Sequence, residues 1–125
     1  MSKKRILFVD DEKDLVTMVA VRLESKGYEV LAAYDGEEAL AKARKEKPDL
    51  IILDIMMPKM DGYDVCTALK GDPQYAGIPI IMFSAKAQPR DVERGKQAGA
   101  DAYITKPFEP QALLEQVQEL IAKLR

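Results

Sequence analysis

Asp54 closes a run of four apolar residues, Leu50-Ile51-Ile52-Leu53, and it is not the only polar residue placed that way. Asp10 and Asp11 follow Ile6-Leu7-Phe8-Val9. Ser84 follows Ile80-Ile81-Met82-Phe83, and Lys106 comes soon after Ala102-Tyr103-Ile104. Short apolar runs separated by helical patterns read as buried strands of a parallel sheet. The carboxyl ends of such strands open on one edge, where ligands bind. Three acids, one hydroxyl and one lysine are therefore expected at that edge. Carboxylates held a few ångströms apart repel one another, and a lysine or a hard divalent cation offsets the repulsion. Mg²⁺ prefers oxygen donors and is often held by a few carboxylates together with phosphate. The residue set suits a divalent cation and a phosphoryl group.

The elements that would position these residues alternate strand and helix five times. The first strand is expected at about 5–9. A helix from near Glu12 carries Leu15, Val16, Val19 and Leu23 at helical spacing and ends at Gly27. A second strand runs from Tyr28 to about Ala33. Asp35-Gly36 leads into a helix with Ala39, Leu40 and Ala43 on one face, and Pro48 closes it. After the third strand, Met57-Pro58-Lys59-Met60-Asp61-Gly62 is turn chemistry, and a short helix follows from about Tyr63 to Lys70. Pro79 precedes the fourth strand, a helix spans about Arg90–Ala98, and the fifth strand lies at about 101–104. The last helix begins near Glu109-Pro110 and carries Leu113, Leu114, Val117, Leu120, Ile121 and Leu124. Repeated βα units require right-handed crossovers and helices on both faces of the sheet. The expected organisation is α/β, one domain over residues 1–125.

Composition removes several classes of function. The 125 residues are 47% apolar, enough for a core, yet no apolar stretch approaches the length of a membrane span. The apolar run after the basic start stops at Asp10, too short for a signal-peptide core, so a cytoplasmic protein without membrane insertion is expected. Cys66 is the only cysteine, which excludes an internal disulfide and a Cys-based metal cluster. There is no histidine, so no His base, His ligand or phosphohistidine arises within the chain. A net charge of −2 provides no field suited to direct nucleic-acid binding.

The motifs together resemble a receiver domain of the two-component response regulators, of the chemotaxis-regulator type. They are Val9-Asp10-Asp11-Glu12, the stretch from Leu53 to Gly62, Phe83-Ser84-Ala85-Lys86, Gly99-Ala100-Asp101-Ala102-Tyr103 and Lys106-Pro107-Phe108. The resemblance implies a flavodoxin-like, doubly wound five-stranded parallel sheet, order 2-1-3-4-5, with five helices. It also implies roles. Asp54 resembles the phosphoacceptor. Asp11 and Asp54 resemble direct Mg²⁺ ligands, the Met56 backbone carbonyl another, and Asp10 the acid that holds the metal through water. Lys106 resembles the cation on the phosphoryl oxygens, Ser84 the switch hydroxyl and Tyr103 the switch aromatic. The Lys106–Pro107 bond resembles one that is cis in the family.

The implied function is a phosphorylatable switch. It would accept a phosphoryl group from a sensor histidine kinase or histidine phosphotransfer protein and control a downstream protein target or a homodimer. It would not be an enzyme beyond its own phosphotransfer and dephosphorylation. Two other readings use the same kind of residues. A haloacid-dehalogenase-like phosphohydrolase resembles a D-x-D arrangement on the first strand, whereas the candidate nucleophile here follows the third. A flavodoxin-like module needs a loop rich in Ser, Thr and Gly after the first strand, where this chain has Asp10-Asp11-Glu12.

Overall fold

A computed structural model describes residues 3–57, 59–86 and 88–124. Met1 and Ser2 of the basic start, Pro58 of the loop after the third strand, Ala87 of the turn after the fourth, and Arg125 lie outside the described residues. The elements in chain order are β1 (Arg5–Val9), α1 (Lys13–Ser25), β2 (Glu29–Ala33), α2 (Gly36–Glu46) and β3 (Leu50–Asp54). They continue with α3 (Gly62–Lys70), β4 (Ile80–Ser84), α4 (Pro89–Gln97), β5 (Ala102–Thr105) and α5 (Pro110–Ala122). All strand pairs are parallel, in the order β2-β1-β3-β4-β5. This is the flavodoxin-like order that the resemblance implied.

The burial pattern explains the apolar runs. β3 and β4 are buried at every position, and β1 at all but its first. Central parallel strands are covered on both faces and need no polar side. β2 and β5 are edges and are mostly half-buried. Side chains alternate across a strand, so each run feeds two cores. Leu7, Val9, Ile51, Leu53, Ile80 and Met82 pack with residues of α2 and α3 on one face. Ile6, Phe8, Leu50, Ile52, Ile81 and Phe83 pack with Val19 and Leu23 of α1 and with Leu113, Leu114, Val117 and Leu120 of α5 on the other. Ile121 is only partly buried against that core.

The boundaries move by one or two residues from the sequence expectation: α1 ends at Ser25 rather than Gly27, and α5 at Ala122, short of Leu124. α4 starts at Pro89 because proline is tolerated in a first helical turn. β5 starts at Ala102, and Asp101 just before it ties the chain to the start of β4, its N–H donating to the Ile80 carbonyl at 2.8 Å. The Asp101 carboxylate accepts the Ile80 N–H at 2.8 Å and the Lys70 ammonium at 3.0 Å. No helix among the described residues is long and apolar enough to cross a membrane.

One close approach fixes the loop beyond β3. A Cβ on Gly62 would stand 2.5 Å from the Asp54 carbonyl oxygen and 2.7 Å from the Ile55 Cα. Both are backbone atoms and cannot rotate aside. Asp61 caps α3 just before it, accepting the Asp64 N–H at 2.9 Å. Gly62→Ala is therefore expected to lower stability by about 2 kcal/mol or more through overpacking. Gly77→Ala, with nothing within 4 Å of its Cβ position, serves as a near-neutral control. Urea unfolding midpoints of the two variants measure the contrast, and equal midpoints would refute the close packing at Gly62.

Candidate functional site

The register of the sheet decides which side chains meet. Val9 pairs with Leu53 and Asp54 pairs with Phe83, so Asp10, Asp54 and Ser84 end within one residue of one another. Ser84 pairs with Thr105, which puts Lys106 one step past the same edge. The Lys106 N–H donates to the Ser84 carbonyl at 2.8 Å, and the Lys106–Pro107 peptide bond is cis.

Asp10, Asp11 and Asp54 each direct a carboxylate oxygen into one cluster, all within 4.8 Å of one another. Asp10 is fully buried, Asp54 is 3% exposed, and Asp11 lies at the surface. The Lys106 ammonium is the cation of the group. It donates to Asp10 at 2.8 Å, lies 3.7 Å from Asp54, and reaches Glu12 at 3.4 Å. Burial alone would lower its pKa. The hydrogen bond that Lys106 donates to Asp10 and the charges of Asp54, Asp10 and Glu12 outweigh that, and its pKa is raised. Asp10 also accepts the Glu12 N–H at 2.9 Å, which shapes the turn into α1.

Asp54 is less well compensated. Burial, then the neighbouring Asp10 charge, push its carboxyl up to about 6, against partial relief from Lys106 and the Met56 amide. The Met56 N–H donates to Asp54 Oδ1 at 3.3 Å, while the residue itself is 58% exposed. Beside the acids opens a cavity of about 350 Å³, lined by Asp11, Met56, Lys86 and Arg94 among others. Three oxygen donors carrying more negative charge than one lysine neutralises are the chemistry of a hard divalent cation.

Ser84 and Tyr103 converge on the same peptide segment. The buried Ser84 hydroxyl accepts the Lys86 N–H at 3.2 Å. The Tyr103 hydroxyl donates to the Lys86 carbonyl at 2.7 Å. The loop between β4 and α4 is thus held by one side chain from each of two adjacent strands. Phe83 and Phe108 pack edge to face beneath, with centroids 4.9 Å apart, and Lys106 lies over the Phe83 ring at 5.0 Å.

The structure brings together Asp10, Asp11, Asp54 and Lys106, and it joins Ser84 and Tyr103 through Lys86. Sequence reading gave no role to Glu12, Tyr63 or Arg94. Glu12 lies within reach of Lys106, and Tyr63 follows the glycine packed on Asp54. Arg94 is on α4, forty residues beyond Asp54 in sequence, and no local pattern pointed to it.

A family model described as the response regulator receiver domain matches residues 6–118. Among curated relatives, the alkaline phosphatase synthesis transcriptional regulatory protein PhoP of Bacillus subtilis is 48% identical over 120 residues, 96% of this chain and 49% of that protein. The DNA-binding response regulator MtrA of Mycobacterium tuberculosis is 42% identical over 123 residues, 98% of this chain and 51% of that protein. The chain spans about half the length of these relatives. Among solved structures, a putative response regulator from Chloroflexus aurantiacus superposes with a TM-score of 0.92 at 37% identity, covering 98% of this chain and 100% of that one. The chemotaxis response regulator CheY4 of Vibrio cholerae superposes with a TM-score of 0.89 at 39% identity, covering 95% and 99%.

The charge state of Asp54 has a measurable consequence. Its native value near 6 lies above its ordinary 3.8, so the folded state binds the proton more tightly than the unfolded chain. The group's favourable contribution is complete below about pH 4 and is lost as pH rises through about 6. Above that, the ionised carboxylate costs on the order of 3 kcal/mol. Asp54→Asn should raise the melting temperature in EDTA at pH 8, with the gain disappearing near pH 4. A gain of equal size at both pH values would show that charge is not its source.

Proposed function

The chain belongs to the response regulator receiver family, and we propose that it is a switch in which Asp54 accepts a phosphoryl group in the presence of Mg²⁺. The observation that carries this reading is the Lys106 ammonium, 2.8 Å from Asp10 and 3.7 Å from Asp54, inside a cluster of three carboxylates. That is one nucleophile, one fixed cation and enough remaining oxygen donors for a divalent ion.

Asp11, Asp54 and the Met56 carbonyl would hold Mg²⁺ directly, with Asp10 acting through water. When bound, the ion supplies charge neutralisation on the phosphoryl oxygens and alignment of the transfer. Asp54 is the nucleophile. With a carboxyl near 6, it is mostly ionised at neutral pH and needs no general base. A carboxylate oxygen forms the new bond to phosphorus while the bond to the donor breaks, the electron pair leaving with the donor. From a histidine kinase or histidine phosphotransfer protein, that bond is phosphorus to imidazole nitrogen. Lys106 stays protonated and offsets charge on the transferred group.

The product is a buried dianion with strong acceptor oxygens. The Ser84 hydroxyl donates to one of them, drawing the loop after β4 inward. Because Tyr103 is bonded to the same loop through Lys86, the loop cannot shift without changing the Tyr103 environment. The change then reaches the surface formed by α4, β5 and α5, where a downstream protein or a second copy of the chain docks. Residues 1–125 act as one receiver domain in the cytoplasm. Their catalysis is limited to their own phosphotransfer and dephosphorylation.

Two measurements test this reading. Incubation with Mg²⁺ and acetyl phosphate should add one phosphoryl group by intact mass, labile to hydroxylamine, and Asp54→Asn should abolish it. Undiminished labelling of Asp54→Asn would remove Asp54 as the acceptor. Mg²⁺ at about 100 times its dissociation constant should stabilise the protein by ~2.7 kcal/mol over EDTA, and Asp11→Ala should lose most of that shift. A melting temperature indifferent to Mg²⁺ would remove the metal site.

A further inference from the structure

α4 is the least anchored helix. Its sequence, Pro89-Arg90-Asp91-Val92-Glu93-Arg94-Gly95-Lys96-Gln97, is mostly charged, and it buries a single residue, Gly95. A helix of nine residues has little stability of its own and takes its position from tertiary contacts. Gly95 meets the ring of Tyr103, where an added Cβ would stand 3.1 Å from Cδ2. Tyr103 is the residue the proposed switch already uses, through its bond to Lys86.

Two other contacts come from one residue of α3. The buried Tyr63 hydroxyl donates to the Asp91 carbonyl at 3.1 Å, in the first turn of α4. The Arg94 guanidinium lies over the Tyr63 ring at 4.1 Å, one turn later, in cation–π geometry. Tyr63 is tied in turn to the candidate acceptor. It directly follows Gly62, whose close packing on the Asp54 carbonyl leaves no room for a side chain. Asp54 backbone, Gly62, Tyr63 and α4 therefore form one short continuous path through α3 that does not need Ser84, and the Tyr63 hydroxyl also meets the Tyr103 hydroxyl of β5 along it.

We propose that Tyr63 is a positioning residue that latches α4 to the acceptor loop, so that α4 is set from Asp54 by a second route beside Ser84 and Tyr103. The hydroxyl fixes the start of the helix, and the ring fixes its rotation through Arg94. The inference deepens the proposed switch, and only its second test rests on that reading.

Hydrogen exchange on the full chain provides both tests. In metal-free protein without any phosphoryl analogue, Tyr63→Leu keeps an apolar side chain but removes the hydroxyl and the aromatic face. Amides of α4 should then exchange about tenfold faster, with β1 and α5 unchanged. Tyr63→Phe, which keeps the ring but loses the hydroxyl that serves Asp91 and meets Tyr103, and Arg94→Gln, which loses only the stacked cation, should each give a smaller acceleration in α4. These two milder variants keep the question answerable if Tyr63→Leu folds poorly. Exchange in α4 within twofold of wild type in all three variants would overturn the latch, as would an equal rise throughout the sheet.

The second test adds beryllofluoride with Mg²⁺. Tyr103→Ala should still gain protection in α4, and Tyr103→Ala combined with Tyr63→Leu should gain none. Loss of the response in Tyr103→Ala alone would make Tyr103 the whole route and overturn the second one. No response to the analogue anywhere in wild type would instead refute the proposed phosphorylation, and the metal-free comparison would still decide the latch.

Discussion

The molecule is organised around uncompensated negative charge at the carboxyl edge of its sheet. Asp10 and Asp54 are almost wholly buried, Asp11 stands beside them, and one lysine serves the group. Burying carboxylates is costly unless they are paired. Lys106 satisfies Asp10 closely and Asp54 only at longer range, and burial pushes the Asp54 carboxyl well above its ordinary range. A buried acid with a raised pKa beside one cation is unfavourable for stability and useful for chemistry. The surrounding fold must hold this arrangement in place, and much of it can be understood as doing so.

Holding it is the task of the parallel sheet. β1, β3 and β4 are buried on both faces, and their registers leave little freedom to slide. A slip of one residue would exchange the two cores, because alternate side chains feed opposite faces. The same slip would move Asp10 away from Asp54 and Ser84 away from Lys106. The two hydrophobic cores and the polar edge are thus fixed by one constraint. Gly62 adds a local version of it, since the loop after β3 packs directly on the Asp54 carbonyl.

Rigidity is unevenly distributed. α5 buries four apolar residues and α1 three, whereas α4 buries one glycine. The Ser84 and Tyr103 hydrogen bonds meet on Lys86 at the entrance to that weakly held helix. Elements that move in switching are drawn from the less stable parts of a structure. Here that region abuts the charge cluster directly, so a new anion at Asp54 would act first on the segment with the least apolar packing to resist it.

Much of this was legible in the sequence because its signals are local. Apolar runs of four residues, helical spacing, and Gly or Pro at the breaks marked all ten elements to within about two residues. The polar residues that close those runs marked Asp10, Asp11, Asp54, Ser84 and Lys106 as one edge. Strand order came from resemblance to a family, since βα alternation alone does not say which strands are neighbours. Tertiary structure alone decided how the charge is shared: Lys106 bonds Asp10 more closely than Asp54, and Glu12 joins it. It also decided that Tyr63 and Arg94, twenty-eight and more residues from their nearest partners in the chain, meet across α3 and α4. Local pattern reports what a residue does within its own element. Distances between side chains on different elements depend on register and helix packing, which no short stretch of sequence encodes.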